Sequence, residues 1–238
     1  MSEIRNYDNA QDVAEAAAEN AVEILGRAIE MHGSAYWVLA GGTSPITAYK
    51  IIAKDYADAL DWSKVTILVG DERVVPGAEE SNWKTVVDIF SENPAFAGMG
   101  HVVPDVTGTA EEAATEYGRM VGQIVATRRF DLVWVGVGED GHCMSLFPNN
   151  PGFTEPTEEW AVPVHDSPKP PSDRFSLSLK AMEHVHELVI FAVGANKKEA
   201  LRTSRLKGGL PVSAVAETVE TYGGEVRWLY DDAAWGEK

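Results

Sequence analysis

Cysteine and positive charge are both scarce in this chain. Cys143 is the one cysteine among 238 residues, so no internal disulfide can form and no cysteine-rich metal site can be built. That favours a reducing compartment. Lys and Arg total 20 against 37 Asp and Glu, a net charge of −17. No basic run is present, and a phosphate backbone demands a basic surface or stripe, which argues against a nucleic-acid partner. The acidity also suits an anionic membrane surface poorly. No stretch of about 18 apolar residues, the length that would span a bilayer, is present. The opening residues, MSEIRNYDNAQDVAEAAAEN, have no apolar core, so no secretory leader is expected. Together these absences predict a cytoplasmic protein.

What is present is ordinary for a folded protein. Hydrophobic residues make up 45%, too many for a disordered chain. The length suits one large domain, 1–238, with a core that needs no staples. Short apolar runs alternate with stretches of helical spacing. Strands are predicted over Ala35–Ala40, Val65–Val69, Leu132–Val135, Glu187–Val193 and Glu225–Tyr230. Helices are predicted over Asp8–Met31, Ile46–Leu60, Ser81–Phe90 and Thr109–Ala126, from about Asn196, and over Pro211–Val219. Apolar strands alternating with amphipathic helices indicate an α/β fold, a mainly parallel Rossmann-like sheet with helices on both faces. The segment Pro148–Pro171 holds seven of the 12 prolines and is predicted to be a long irregular excursion.

Ligands of such sheets bind beyond the carboxyl ends of the strands. Four strand ends there carry Gly with a polar or charged group: Gly41-Gly42-Thr43-Ser44-Pro45, Gly70-Asp71-Glu72-Arg73, Gly136-Val137-Gly138-Glu139-Asp140-Gly141-His142, and Gly194-Ala195-Asn196-Lys197. The first is either an ordinary turn whose hydroxyls cap the next helix or a phosphate cradle at a helix N-terminus. The third matches G-x-G-x-x-G in form. Its internal carboxylates would repel a pyrophosphate, and Pro148 and Pro151 leave no room for the required helix. Asp140 and His142 are either a capping Asp with a buried His or an oriented general base. Lys197 at a helix start is unfavourable unless it meets an anion. Lys197, Arg174 and the Gly42-Thr43 loop can form one phosphate pocket. Cys143 reads as a packed thiol. His184 and His186 read as an incidental pair without a third metal ligand. Asp231-Asp232 reads as a solvated end.

The segments LAGGTSP (39–45), GDERVVP (70–76), GVGEDGHCMSLFP (136–148), SDRFSLSL (172–179) and VGANKKEAL (193–201) together resemble the 6-phosphogluconolactonases. Those enzymes share a superfamily with glucosamine-6-phosphate deaminases. The resemblance implies hydrolysis of 6-phosphoglucono-1,5-lactone, the second step of the oxidative pentose phosphate pathway, without cofactor or metal. It implies His142 as catalytic base with Asp140 beside it. Gly42, Thr43, Ser44, Arg174 and Lys197 would line the phosphate and sugar site, with Asp71 and Arg73 at its wall. A phosphosugar lactone is then the expected partner; a monomer is expected, with a homodimer left open. The chain departs from the family at Cys143 and Met144, where small residues are common. The sister deaminase activity would call for a Phe-Asn-Glu-Pro-like stretch after the DGH segment, and here Ser145-Leu146-Phe147-Pro148 carries no Glu. A phosphosugar-binding module without catalysis is the remaining alternative, although binding alone would not need Asp140 and His142.

Overall fold

The computed structural model describes residues 2–75 and 81–236; Pro76 of the GDERVVP segment lies outside them. Seven strands form one sheet: β1 (Glu3–Tyr7), β2 (Ala35–Leu39), β3 (Val65–Val69), β5 (Gly100–Val102), β6 (Phe130–Gly136), β9 (Val185–Ala192) and β10 (Glu225–Asp231). Their order is β1-β10-β9-β6-β2-β3-β5, and every pairing is parallel. Three further strands, β4 (Asp71–Arg73), β7 (Ala161–Val164) and β8 (Arg174–Leu177), form a separate antiparallel sheet in the order β4-β8-β7.

The central strands alternate strictly between two apolar faces. Trp37, Leu39, Leu132 and Trp134 pack on one side with helices α1 (Ala10–His32), α2 (Ser44–Asp55) and α3 (Asn82–Ser91). Val38, Val133, Val135 and Ile190 pack on the other with α4 (Ala110–Val125), α8 (Pro211–Thr221) and the small sheet. Burial on both faces explains why these strands read as unbroken apolar runs. The helices start where side chains satisfy free N–H groups. Asn9 accepts from the Gln11 and Asp12 N–H groups at 2.9 and 3.1 Å. Thr109 and Glu112 form a reciprocal capping box. Helix α1 stops at Gly33, whose φ of 80° suits a left-handed cap.

Two expectations need correction. The stretch 148–171 is not wholly irregular: it contains α5 (Pro151–Thr154) and β7, and the short helix α6 (Leu179–Met182) follows β8. Pro163 is tolerated because β7 is an edge strand, where one lost N–H goes unpaired without cost to the ladder. Asp231 is not a solvated end. It is 5% exposed, and its carboxylate accepts from Gly194 N–H at 3.0 Å and from Ala234 N–H at 2.9 Å.

The strand order has one consequence for function. From β2 the chain proceeds outward through β3 to β5, then returns to β6 on the opposite side of β2. The connections after β2 and β6 therefore diverge and leave a crevice at their carboxyl ends, the usual ligand position in such sheets.

Candidate active site

A cavity of about 420 Å³ opens at that crevice. It is lined by Gly42, Thr43 and Ser44 after β2, by Gly136 and Gly138 after β6, and by Asp71, Arg73, Arg174, His142 and Lys197. Sequence segments more than 150 residues apart thus supply one pocket. Its size suits a small ligand. Asp140 stands behind His142 and does not line it.

The Gly41–Pro45 loop is built for close approach. Gly42 has φ 85°, which favours glycine, and a Cβ there would meet nothing within 4 Å. Gly41 is needed for space instead: a Cβ would lie 2.4 Å from Asn82 Oδ1. The capped-turn expectation fails at Thr43, whose side chain makes no capping hydrogen bond. The first turn of α2 also holds no acidic residue. The positive end of this 12-residue helix therefore faces the cavity without an internal anion.

His142 is set by a tight turn. Gly138 N–H donates to His142 O at 2.7 Å, and Gly141 N–H donates to Gly138 O at 3.0 Å. No helix opens here, so the dinucleotide reading is excluded by geometry as well as by charge. Asp140 Oδ1 accepts from His142 N–H at 3.1 Å and pairs with the ring Nδ1. The ring packs against Phe147, centroid to centroid 4.6 Å. The side chain of His142 is 13% exposed. Burial lowers its proton affinity, and the neighbouring charge of Lys169 adds to that; the Asp140 carboxylate opposes both without cancelling them. His142 is thereby held neutral to lower pH than a free imidazole. Asp140 is itself held below the usual carboxylate range: burial pushes it up, but the charge and hydrogen bonds of His142 outweigh burial.

The opposite wall carries the cations. β4 and β8 pair so that Arg73 stands directly across from Arg174. Arg174 is 6% exposed; its Nη2 donates to the carbonyls of Lys169 and Pro170 at 3.0 and 3.2 Å and its Nε to that of Pro171 at 3.1 Å. Its Nη1 lies 3.9 Å from Asp71 Oδ2. Asp71 also accepts from the buried Ser145 hydroxyl at 2.5 Å. Lys197 occupies the position before α7 (Lys198–Leu206), and its side chain makes no capping hydrogen bond there. Burial lowers its pKa, as does the charge of Lys169. Gly194, fixed by Asp231, begins the turn that presents Asn196 and Lys197.

Sequence reasoning assigned no site role to Lys169, Asn82, Asn196, Met144 or Trp134, all of which line the cavity. It also missed Glu72, 1% exposed. The Glu72 carboxylate accepts from Ser81 Oγ, Asn82 N–H and Trp83 N–H at 2.8, 2.8 and 2.7 Å. It anchors the N-terminus of α3 and holds Asn82 over Gly41. Glu72→Ala would strand several buried donors, and about 3 kcal/mol of stability is expected to be lost. A urea midpoint unchanged from wild type would refute that role. Cys143 is buried, and burial pushes its thiol well up, so it is an inert packed group.

A family model described as glucosamine-6-phosphate isomerases/6-phosphogluconolactonase matches residues 8–228. The chain belongs to this family. A protein named probable 6-phosphogluconolactonase 1 from Arabidopsis thaliana is 33% identical over 248 residues, covering 98% of this chain and 92% of the relative. The 6-phosphogluconolactonase 3, chloroplastic, of the same plant is 28% identical and covers 96% of this chain and 73% of its own length. Among solved structures, a 6-phosphogluconolactonase from Shewanella baltica superposes with TM-score 0.83 at 23% identity, covering 97% of this chain and 98% of that one. A monomeric glucosamine-6-phosphate deaminase superposes with TM-score 0.77 at 16% identity, with 98% of each chain covered. The isomerase/lactonase family fold thus carries both chemistries, and only the site can separate them.

Proposed function

We propose that this protein is a 6-phosphogluconolactonase, hydrolysing 6-phosphoglucono-1,5-lactone to 6-phosphogluconate. The observation that carries this reading is one cavity with an anion-binding wall facing a neutral, carboxylate-oriented imidazole. The whole chain acts as one catalytic domain, because both sheets contribute to that cavity. The acidic, cysteine-poor composition and the buried free thiol support a cytoplasmic setting. Among the described residues, no helix is long and apolar enough to cross a membrane.

The phosphate is bound by the N-terminus of α2 at Gly42–Ser44, by Lys197 and by Arg174. Neutral His142 takes a proton from water as the water oxygen attacks the lactone carbonyl carbon. Negative charge develops on the carbonyl oxygen, where Arg73 or nearby N–H groups stabilise it. The tetrahedral centre then collapses. The bond from C1 to the ring oxygen breaks, and protonated His142 returns its proton to that oxygen. The Asp140 carboxylate stabilises the imidazolium between the two transfers. One water is consumed, and no covalent enzyme intermediate is needed.

The test uses lactone made in situ, because the lactone also hydrolyses spontaneously. Its disappearance is expected to accelerate in proportion to protein added. Glucosamine 6-phosphate should release no ammonia. Ammonia release without lactone consumption would replace this reading with the sister activity. Phosphosugar binding without either reaction would leave only a binding module.

A further inference from the structure

Lys169 occupies an unusual setting. It lies in Ser167-Pro168-Lys169-Pro170-Pro171, where prolines fix the backbone on both sides. The segment is then tied down by its carbonyls. Ser167 Oγ donates to Lys169 O at 2.9 Å and accepts from Lys169 N–H at 3.2 Å. Three N–H···O contacts from Arg174 hold the carbonyls of Lys169, Pro170 and Pro171. Ahead of the segment, His165 bridges Asp173 at 3.0 Å and Glu111 at 2.9 Å. An exposed, flexible side chain is thus mounted on a firmly held backbone, and it lines the same cavity as His142 and Lys197.

Lys169 and Lys197 come from different loops and face one cavity. Each is a point charge, and neither forms an ion pair among the described residues. Glu139 and Asp140 act on Lys197 with the opposite sign, but Lys169 acts on it more strongly than either. Two ammonium groups facing one cavity repel, and a bound dianion reverses the sign of that interaction. We propose that Lys169 is a substrate-binding cation and that it closes with Lys197 on the dianionic phosphate of the substrate. The inference rests on the reading of the cavity as a phosphosugar site and adds a ligand group from the proline-rich loop. Arg174, by gripping that loop, is in addition a positioning residue for Lys169. The charge of Lys169 has a second effect, since it helps keep His142 unprotonated.

The experiment compares wild type, Lys169→Met and Lys169→Arg by calorimetric titration with 6-phosphogluconate and with inorganic phosphate. Lactone kinetics are run alongside. Lys169→Met is expected to weaken both anions about 10-fold or more and to raise KM by a similar factor, with kcat changed far less. Lys169→Arg should restore most of the affinity. Unchanged Kd values, or a loss confined to kcat, would overturn the clamp. Wild type that binds both anions but leaves the lactone untouched would instead overturn the functional reading and leave the clamp standing.

Discussion

Replacing His142 by alanine is expected to lower kcat for lactone hydrolysis by about 10²–10⁴-fold, the range typical of a positioned general acid–base group. Three features of the site set the size of this loss. The ring is mostly buried in a wall of the cavity, so it faces a bound ligand rather than bulk solvent. Asp140 fixes its orientation through Nδ1, which leaves Nε2 for the water. Its lowered proton affinity keeps it a base at neutral pH. The proposed phosphate-binding groups do not include His142, so the Kd for 6-phosphogluconate in His142→Ala should stay within a few-fold of wild type. A variant with wild-type kcat would remove His142 from the mechanism. A variant that loses product affinity and kcat together would make it a binding group instead.

Gly138→Ala is expected to do nearly as much damage without touching a reacting group. A Cβ at Gly138 would lie 2.0 Å from His142 Nδ1 and 2.7 Å from Asp140 Oδ1. No rotamer adjustment of a long side chain relieves this, because both neighbours are short and mutually bonded. The imidazole must move, and a displacement of about 1 Å at a reacting group can cost roughly 10²-fold in rate. The loss should fall on kcat with KM little changed. Gly42→Ala makes an instructive contrast. Nothing crowds a Cβ there, and the cost is backbone strain of about 1 kcal/mol at a φ of 85°. That variant should perturb KM, through the phosphate loop, more than kcat. Gly138→Ala with wild-type kinetics would show that the turn tolerates a different His142 position.

The sequence made the central sheet readable because its strands are buried on both faces. The unbroken runs around Trp37, Ile67, Val133 and Ile190 leave little alternative. It hid the edges. Strand β1, Glu3–Tyr7, reads as polar, and its pairing with β10 places it in the sheet; Glu3 pairs in register with Arg227, and their side chains meet at 2.8 Å. The small sheet was hidden by proline in β7 and by the three-residue length of β4. The same logic applies to the site. Gly42, Asp71, Arg73, His142, Arg174 and Lys197 stand in recognisable segments, and the structure brings all of them to one cavity. Lys169 was missed because a lysine among prolines has no periodicity to betray it, although the concentration of prolines marked its loop as distinctive. Asp231 was missed because a carboxylate near a chain end reads as solvated until its partner, Gly194, is known. Thr43 was legible as a loop hydroxyl, but only the structure shows that it does not cap the helix.

The acidic composition also acquires a local meaning. A charge of −17 is unfavourable to an anionic substrate only at long range, because the Debye length is about 8 Å at physiological salt. Within the cavity, Lys169, Lys197, Arg73 and Arg174 face a single lining carboxylate, Asp71, beside the start of α2.

The most direct test of the central claim is the pH dependence of kcat/KM in wild type and Asp140→Asn. In the proposed mechanism His142 must be neutral to act, and its pKa is lowered, so wild-type activity should persist below the ordinary imidazole value of about 6.5 and fall only at lower pH. Asp140 raises the proton affinity of His142, so its replacement should move the acid limb further down in pH while reducing the plateau. Ionisation of the substrate phosphate, near pH 6, is common to both proteins and drops out of the comparison. An acid limb displaced downward in Asp140→Asn is the expected result. Acid limbs that coincide would contradict the account, because the titrating group would then not be the imidazole that Asp140 holds.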